Sequence, residues 1–315
     1  MPSINTQSAK IVQRMIADAE TLNVLVHRLP NGTTVLDAGV ETPGSLEAGR
    51  RFAEVCLGGL GSIAFDFIRW DSLEIPGVTV TVNDPPLACM ASQYAGWAIQ
   101  RDSFFAMGSG PARALYGGEA LFEQLSYRDS ADVAVLALES RALPTPDVAD
   151  WIAEKCRVGP EQLYLLVAPT ASLVGSVQVA ARVVETGLHK MTKLGFDFQT
   201  VLAGVGTCPL APIAADDLQA IGRTNDTVLY GGQVWYTVQA EDAAIASLIE
   251  RLPSSASRDY GTPFYELFQR YGGDFYQIDP LLFSPAEIYI NNVVSGRTFH
   301  AGSRDAAMIQ KVLLA

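Results

Sequence analysis

Residues 132–193 read DVAVLALESRALPTPDVADWIAEKCRVGPEQLYLLVAPTASLVGSVQVAARVVETGLHKMTK. The apolar runs at 132–139 and 162–168 are short and predict buried strands. A longer segment with the apolar spacing of a helix follows each run, at 146–157 and at 174–193. This alternation of strand and helix predicts a mixed α/β (α+β) protein.

The rest of the chain continues the alternation. Further strands are predicted at 62–69, 76–83, 103–107 and 227–238, and further helices at 6–20, 44–57, 111–126, 197–204, 216–222, 241–251 and 263–271. Asn31-Gly32 and Ser295-Gly296 each lie between two extended runs and predict β-hairpins. The two hairpins resemble each other, which suggests an internal duplication. The alternative, which is favoured, is that hairpins prefer these residues anyway.

The chain has 315 residues, enough for two domains of about 100–200 residues each. No long linker separates two halves, and 126–131 is the segment that best serves as a boundary. We therefore predict an N-terminal α/β domain over 1–125 and a C-terminal α/β domain over 126–315.

The chain carries little charge for its length. Charged residues make up 18%, against a typical share of about 25%, which predicts that some surface is buried between subunits. The net charge is −12, from 22 Lys and Arg against 34 Asp and Glu, and argues against a nucleic-acid partner. The first residues lack the pattern of a signal peptide, and no segment is long and apolar enough to predict a membrane span.

Four cysteines and three histidines are available for metal or redox chemistry. The cysteines, at positions 56, 89, 156 and 208, form no CxxC motif, and the histidines form no HExxH motif. These patterns predict neither a metal site nor a disulfide framework. We expect buried thiols in a protein of the reducing cytoplasm.

A turn of small residues, GSGPAR at 108–113, precedes the helix predicted at 111–126. Backbone N–H groups at Ser109 and Gly110, the helix dipole and the side chain of Arg113 could hold a phosphate or a carboxylate. The alternative is an ordinary helix cap beside an exposed arginine, and the sequence favours it.

Polar residues form a stripe on the helix predicted over 174–193. At 100° per residue, Gln178, Arg182, Glu185 and His189 fall within an arc of roughly 60°. One interpretation is a solvent-facing surface with an exposed Arg182–Glu185 ion pair, which periodicity alone favours. The other is a wall of a binding cleft, because the four side chains differ chemically and follow an uncharged loop.

Two further segments have the composition of a ligand site. Gln93 and Tyr94 lie in SQYAGW at 92–97, where an amide, a phenol and an indole beside glycine could cradle a flat heterocycle. An aromatic cluster at the edge of the core explains this segment as well. Asn225 and Asp226 stand just before the strand predicted at 227–238, a position typical of turn residues.

Seven stretches, spread over nearly the whole chain, are similar to sequences of one enzyme family. They are SLEAGRRFAEVCLGGLG (45–61), LACMASQYAGW (87–97), FFAMGSGPARAL (104–115), YRDSADVAVLALES (127–140), APTASLVGSVQVAARVVETGLHK (168–190), GRTNDTVLYGG (222–232) and GGDFYQIDPLLFSPAEI (272–288). On these stretches the chain resembles the methenyltetrahydromethanopterin cyclohydrolases, and the bacterial members most closely.

The resemblance implies a reversible hydrolysis in tetrahydromethanopterin-dependent one-carbon metabolism. Water adds to the N5,N10-methenyl cation, and the ring opens to the N5-formyl compound. The resemblance also implies a soluble homotrimer of two-domain subunits, with the pterin bound in a cleft between the domains. It implies no bound metal and no permanent cofactor, because the pterin carrier, in its full or dephospho form, is the substrate.

The family's catalytic arginine and glutamate fall on Arg182 and Glu185. The candidate substrate contacts, which come from the composition of the segments above, are Gln93, Tyr94, Ser109, Gly110, Arg113, Gln178, Asn225 and Asp226.

The chemistry of the reaction assigns separate roles to the catalytic pair. The amidinium carbon is already electrophilic, so the attacking water needs a base and no metal Lewis acid. N10 needs a proton before its bond to carbon breaks, and Glu185 can first accept and then donate that proton. Arg182 would orient Glu185 and favour its ionised form, since a cation against the cationic carbon would repel the substrate.

Two other classes of protein stay open. A pterin-binding protein without turnover has no need for a proton shuttle, which the intact Arg182–Glu185 pair argues against. An unrelated acyl-transfer enzyme could use Cys89 or Cys208 as its nucleophile, but no histidine motif is present to activate the thiol.

Overall fold

The structure, a computed structural model, describes residues 3–71, 73–273 and 277–314. The strands are β1 (Leu25–Arg28), β2 (Thr34–Asp37), β3 (Gly61–Trp70), β4 (Leu73–Val82), β5 (Trp97–Arg101), β6 (Phe104–Ser109), β7 (Ala134–Glu139), β8 (Leu163–Ala168), β9 (Val201–Pro209), β10 (Gln233–Val238), β11 (Glu287–Asn292) and β12 (Thr298–Gly302). The α-helices are α1 (Ile4–Ala17), α2 (Ala19–Leu22), α3 (Leu46–Cys56), α4 (Ala112–Tyr116), α5 (Leu121–Gln124), α6 (Pro146–Cys156), α7 (Leu173–Ala180), α8 (Val183–Lys193), α9 (Asp217–Gly231), α10 (Asp242–Ala246), α11 (Phe264–Arg270) and α12 (Ala306–Leu313). The mixed α/β class is confirmed, and no helix among the described residues has the length and apolarity to cross a membrane.

The chain forms two units, each with its own six-stranded sheet. The first unit comprises Met1–Ser62 and Pro86–Gln178, and the second comprises Ile63–Pro85 and Val179–Ala315. The boundary predicted at 126–131 therefore falls inside the first unit. The reason is strand pairing between distant parts of the chain, because β4 follows β3 early in the sequence yet pairs with β9 in the second sheet.

The first sheet has the strand order β1-β2-β8-β7-β6-β5. Its three central strands β2, β8 and β7 are parallel, while β1, β6 and β5 pair antiparallel with their neighbours. Helices α1 and α3 pack on one face and α6 on the other, which explains why the central strands are nearly continuous apolar runs. In the parallel register Asp37 lies beside Val167 and Glu139 beside Ala168, so the carboxyl ends of the three strands meet at one edge.

The second sheet has the strand order β12-β11-β10-β9-β4-β3. Helix α8 approaches this sheet closely over two glycines of β9. A Cβ atom at Gly204 would lie 2.7 Å from Val184 Cγ1, and one at Gly206 would lie 2.7 Å from Val183 Cγ1. Only glycine leaves room for the start of α8, so these two residues fix the position of that helix on its sheet.

Both predicted hairpins are confirmed, and each lies at an edge of its sheet. β1 pairs antiparallel with β2 in the first sheet, and β11 pairs antiparallel with β12 in the second. The turn glycines Gly32 and Gly296 have φ angles of +93° and +73°, the left-handed conformation that glycine adopts without strain.

Several predicted elements are wrong in extent or type. The helix predicted at 197–204 is a single 3₁₀ turn followed by β9, which is held by pairing with β4 and β10. The strand predicted at 227–238 starts only at Gln233, because α9 continues to Gly231. The helix predicted at 111–126 is two short helices, since Gly117 has a φ of +58° and ends the first.

Candidate functional site

The helix predicted over 174–193 is interrupted at Arg182. α7 ends before this residue and α8 begins after it. The Arg182 N–H donates to the Val179 carbonyl at 3.0 Å, a bond over three residues that tightens the turn. The Arg182 carbonyl accepts both the N–H and the hydroxyl of Thr186 at 2.8 Å. The interruption therefore places Arg182 as the residue that caps α8.

The predicted continuous stripe of four polar residues is wrong for the same reason. Gln178 lies on α7, whereas Glu185 and His189 lie one turn apart on α8. Gln178 is 4% exposed and belongs to the first unit, while Arg182 and Glu185 belong to the second.

Arg182 and Glu185 form a shielded ion pair. Arg182 Nη1 lies 3.6 Å from Glu185 Oε2, and the two side chains are 13% and 7% exposed. The interpretation as a solvent-facing pair is therefore wrong. A distance of 3.6 Å is longer than the 2.7–2.9 Å of a charge-assisted hydrogen bond, so these two atoms attract each other without a direct hydrogen bond. Glu185 also lies in the first turn of α8, where the positive end of the helix dipole favours an ionised carboxylate.

The backbone around Glu185 is fixed by its neighbours. The Tyr236 hydroxyl donates to the Val184 carbonyl at 2.6 Å, and the buried Lys190 ammonium donates to the Pro253 carbonyl at 2.8 Å. Burial, with a smaller effect from Lys193, lowers the pKa of His189 to about 4. His189 is therefore neutral near pH 7.

Arg113 does not have the surface exposure that an anion-binding residue needs. Its side chain is fully buried, and its Nε and Nη2 donate to the two carboxylate oxygens of Glu119 at 2.8 and 2.6 Å. Nη1 donates to the carbonyls of Met90 and Ser92 at 3.1 and 3.0 Å. The guanidinium also lies over the ring of Tyr94, 5.2 Å from its centroid. The anion-binding role predicted for Arg113 is wrong, and so is the alternative of an exposed arginine, because this side chain holds the 90–94 segment in place.

The other groups of the predicted anion site are also used internally. The Ser109 hydroxyl donates to the Gln93 carbonyl at 2.6 Å, and the Gly110 N–H donates to the Ser92 carbonyl at 2.8 Å. The following helix α4 has only five residues. The structure thus brings Ser109, Gly110 and Arg113 against Gln93 and Tyr94, but as a scaffold for that segment.

Gln93 ends an eight-residue π-helix, Pro86–Gln93, that the sequence analysis missed. The Tyr94 N–H donates to the Cys89 carbonyl at 2.8 Å, a bond over five residues that continues the wide turn. Gln93 is fully buried and Tyr94 is partly exposed. π-helical turns are rare and occur frequently at functional sites, so this segment stays a candidate for substrate contact.

Asn225 and Asp226 lie in the middle of α9, so the turn predicted for them is wrong. The Asn225 amide donates to the Ile221 carbonyl one helical turn back at 2.8 Å. Asp226 Oδ1 accepts the N–H of Phe264, the first residue of α11, at 2.9 Å. Burial raises the pKa of Asp226 to about 7. The Asn225 contact lies within α9, whereas the Asp226 contact joins α9 to α11 and replaces the turn chemistry that these residue types suggest.

The cysteine nucleophile is contradicted by burial. Cys89 and Cys208 are both 0% exposed, and burial raises the pKa of Cys208 to about 12. A thiolate nucleophile must be deprotonated and accessible, so neither residue suits acyl transfer.

Within the described part of the chain, one group of side chains has the spacing of metal ligands. Ligand atoms of His27, Asp37 and Glu41 lie within 4.8 Å of one another. The Asp37 carboxylate already accepts the backbone N–H groups of Gly39, Val40 and Glu41 at 2.7–2.9 Å. These three hydrogen bonds give Asp37 a structural role, because they cap the loop that follows β2.

Sequence reasoning missed one polar pair. Thr170 Oγ1 donates to Glu139 Oε1, which joins the end of β7 to the loop after β8. Glu139 is the last residue of one predicted strand and Thr170 lies two residues after the end of the next, and that position is the signal that could have identified them.

Comparison with known proteins shows which family the chain belongs to. Residues 3–313 match the family model described as Cyclohydrolase (MCH). Methenyltetrahydromethanopterin cyclohydrolase of Methylobacillus flagellatus is 45% identical over 314 residues, covering 98% of this chain and 95% of its own. The protein of the same name from Methanothermobacter marburgensis is 46% identical, and the match covers 99% of this chain and 99% of its own length. The one from Xanthobacter autotrophicus is also 46% identical, and the match covers 98% of this chain and 92% of its own length. The chain therefore belongs to the cyclohydrolase (MCH) family.

Proposed function

We propose that the chain catalyses the reversible hydrolysis of N5,N10-methenyltetrahydromethanopterin to the N5-formyl compound, in one-carbon metabolism. The family match over 3–313 supports the reaction. The observation that carries the mechanism is the shielded Arg182–Glu185 ion pair at the start of α8. This carboxylate is 7% exposed, and both the nearby cation and the helix N-terminus favour its ionised form.

In the proposed mechanism Glu185 moves one proton in two directions. The carboxylate accepts a proton from water as the water oxygen bonds to the methenyl carbon, which neutralises the substrate cation. Glu185 then donates a proton to N10, the bond between carbon and N10 breaks, and the adduct hydroxyl loses its proton as the formyl group forms. One proton is released overall, and the electrophilic carbon makes a metal unnecessary.

Arg182 acts through Glu185. At 3.6 Å its guanidinium favours the ionised carboxylate by Coulomb attraction. Its backbone fixes this geometry, because the Arg182 carbonyl is bound by Thr186.

Of the candidate substrate contacts predicted from the sequence, we propose that Gln93, Tyr94 and Gln178 bind the substrate. The π-helix that ends at Gln93 and the partly exposed ring of Tyr94 support the first two. Gln178 lies on α7, the helix that directly precedes Arg182 in the chain. The pterin carrier is a substrate in this proposal, with no permanent cofactor.

We also propose a homotrimer in the cytoplasm. The second sheet exposes a row of apolar side chains, in which Trp235 pairs with Val205 on one side and stacks on Tyr289 on the other, at 4.9 Å between ring centroids. Trp235 and Val205 are each 43% exposed, and a patch of this kind is typical of a subunit interface. The four cysteines are buried and not joined by disulfides, which suits a reducing compartment.

A direct assay tests the proposed reaction. Purified protein is mixed with the methenyl substrate, and the absorbance of the methenyl chromophore is followed against a sample without protein. We expect the chromophore to disappear faster with protein and the N5-formyl compound to form in equal amount. Equal rates in both samples would overturn the proposed function.

A further inference from the structure

Tyr236 on β10 lies under the first turn of α8. In the antiparallel pairing of β10 with β9, Tyr236 is opposite Gly204. A Cβ atom at Gly204 would lie 2.7 Å from Val184 Cγ1 of α8 and 3.5 Å from Tyr236 Cδ1. The Tyr236 side chain therefore lies beside this glycine on the face of the second sheet that α8 covers, and it is fully buried there.

The hydroxyl of Tyr236 reaches the backbone of α8. It donates to the Val184 carbonyl at 2.6 Å. A Cβ atom at Gly187 would lie 2.4 Å from the same hydroxyl oxygen, closer than real Cβ atoms approach other atoms. A larger residue at position 187 would therefore displace the hydroxyl from the carbonyl. The tyrosine and this glycine fit together at the start of the helix.

The hydrogen bond from Tyr236 adds to those that hold the helix itself. An α-helical carbonyl accepts the N–H group four residues on, which for Val184 is that of Leu188. A carbonyl oxygen has two lone pairs and can accept both donors. Without the Tyr236 hydroxyl the carbonyl would still have its partner within the helix. The hydroxyl therefore contributes mainly orientation, because it ties the backbone of α8 to β10.

The carbonyl that Tyr236 binds belongs to the peptide group that leads into Glu185. The Val184 carbonyl and the Glu185 N–H are two ends of one planar unit, so a fixed carbonyl also fixes the position of the Glu185 Cα. In the proposed mechanism the Glu185 carboxylate exchanges protons with water and with N10, and both transfers need hydrogen-bond reach. A misplacement of about 1 Å can lower a catalytic rate about 100-fold.

We propose that Tyr236 is a positioning residue, which sets the placement of the Glu185 carboxylate through the Val184 carbonyl. The inference rests on the proposed function, in which Glu185 is the acid–base group. Because Tyr236 is fully buried and its hydroxyl binds the helix backbone, we assign it no contact with the substrate. Its loss should therefore slow proton transfer and leave substrate binding nearly unchanged.

Steady-state kinetics of Tyr236→Phe test this role, because phenylalanine removes only the hydroxyl. We expect kcat to fall by roughly 10- to 100-fold, with KM within about twofold of the parent value. Tyr230→Phe is the matched control, since Tyr230 is also fully buried and its hydroxyl donates from α9 to the Thr262 carbonyl at 2.9 Å. The control should lower Tm at least as much as Tyr236→Phe and should keep the parent kcat.

A double-variant cycle with Gly187 tests the same contact from the helix side. Gly187→Ala keeps the tyrosine but displaces its hydroxyl, so it should lower kcat by a factor similar to that of Tyr236→Phe. In the Tyr236→Phe background the same alanine should cost much less activity, because the atom that it would meet at 2.4 Å is gone. Fully multiplicative losses in the double variant would contradict the shared contact.

The outcomes separate positioning from a structural role. A folded Tyr236→Phe with the parent kcat, or a kcat loss that Tyr230→Phe matches, would overturn the inference. If Tyr236→Phe does not fold, Gly187→Ala decides alone, and a folded Gly187→Ala with the parent kcat would overturn it. Failure of the proposed function would appear instead as absent turnover by the parent.

Discussion

Replacing Arg113 by Met should destabilise the protein strongly, because the substitution removes a fully buried charge from its ion pair with Glu119. The guanidinium donates twice to Glu119 and twice to backbone carbonyls, and the Glu119 side chain is only 13% exposed. Removing one partner of a buried pair typically costs about 3–5 kcal/mol, since the remaining charge stays buried without compensation. A loss of about 4 kcal/mol lowers Tm by roughly 6–12 °C, depending on whether the two units unfold together.

Thermal unfolding followed by circular dichroism or calorimetry measures this shift. The double variant Arg113→Met/Glu119→Leu should recover part of the loss, because it no longer buries a lone carboxylate. Arg69→Met is the matched control: its guanidinium, 73% exposed, pairs with Glu74, and its Tm should stay close to the parent value. If Arg113→Met kept the parent Tm and raised only the KM for the pterin substrate, the guanidinium would reach a ligand and the structural interpretation would be refuted.

Three further predictions follow from burial and charge. Because the pKa of Asp226 is raised to about 7, the folded state binds one more proton than the unfolded state between about pH 4 and pH 7. The free energy of unfolding of the parent should therefore fall by a few kcal/mol as pH rises through this window. Thermal melts of Asp226→Asn should lose most of this pH dependence. Iodoacetamide at neutral pH should leave the activity of the native protein intact, since Cys89 and Cys208 are fully buried; rapid inactivation that matched labelling of either thiol would contradict this. Light scattering should give three times the 33.8 kDa of one chain and a smaller mass for Trp235→Glu, whereas a stable parent monomer at micromolar concentration would refute the trimer.

The elements predicted best from the sequence are those with strong local signals. Residues 146–156 carry a Thr145 cap, Pro at the first helical position and an apolar stripe, and α6 has these bounds within one residue. The strands β7 and β8 are short apolar runs, and each lies within two residues of its prediction. Local propensity and tertiary structure agree at these places, so the sequence pattern is sufficient.

The wrong predictions depend on contacts between distant residues. DFQTVLAG at 197–204 has no local feature that excludes a helix, and it is pairing with β4 and β10 that makes Val201–Pro209 a strand. GRTND contains turn residues, yet Asp226 accepts the N–H of Phe264 from 38 positions away and stays in a helix. A single sequence does not show such partners.

The predictions for the candidate site also separate into features that the local sequence shows and features that it does not. The three-residue spacing of Arg182 and Glu185 is visible in the sequence, but the interruption that places Arg182 at the cap of α8 is not. The sequence does not give the role of Arg113, because a glycine-rich turn before an arginine has the same sequence pattern whether the arginine faces a ligand or Glu119. The two cases differ in whether the arginine side chain is buried, and the local sequence does not show whether a single charged residue is buried.

The central claim is that Glu185 relays a proton between water and N10, and steady-state kinetics of Glu185→Gln test it most directly. Glutamine keeps the size of the side chain but accepts no proton at neutral pH. We expect kcat to fall by roughly 10²–10⁴, with a smaller change in KM, and Glu185→Asp to recover only part of the rate because its arm is shorter. Glu74→Gln, the same substitution at a side chain that is 53% exposed, should leave both constants unchanged. A correctly folded Glu185→Gln with kcat within threefold of the parent would contradict the relay.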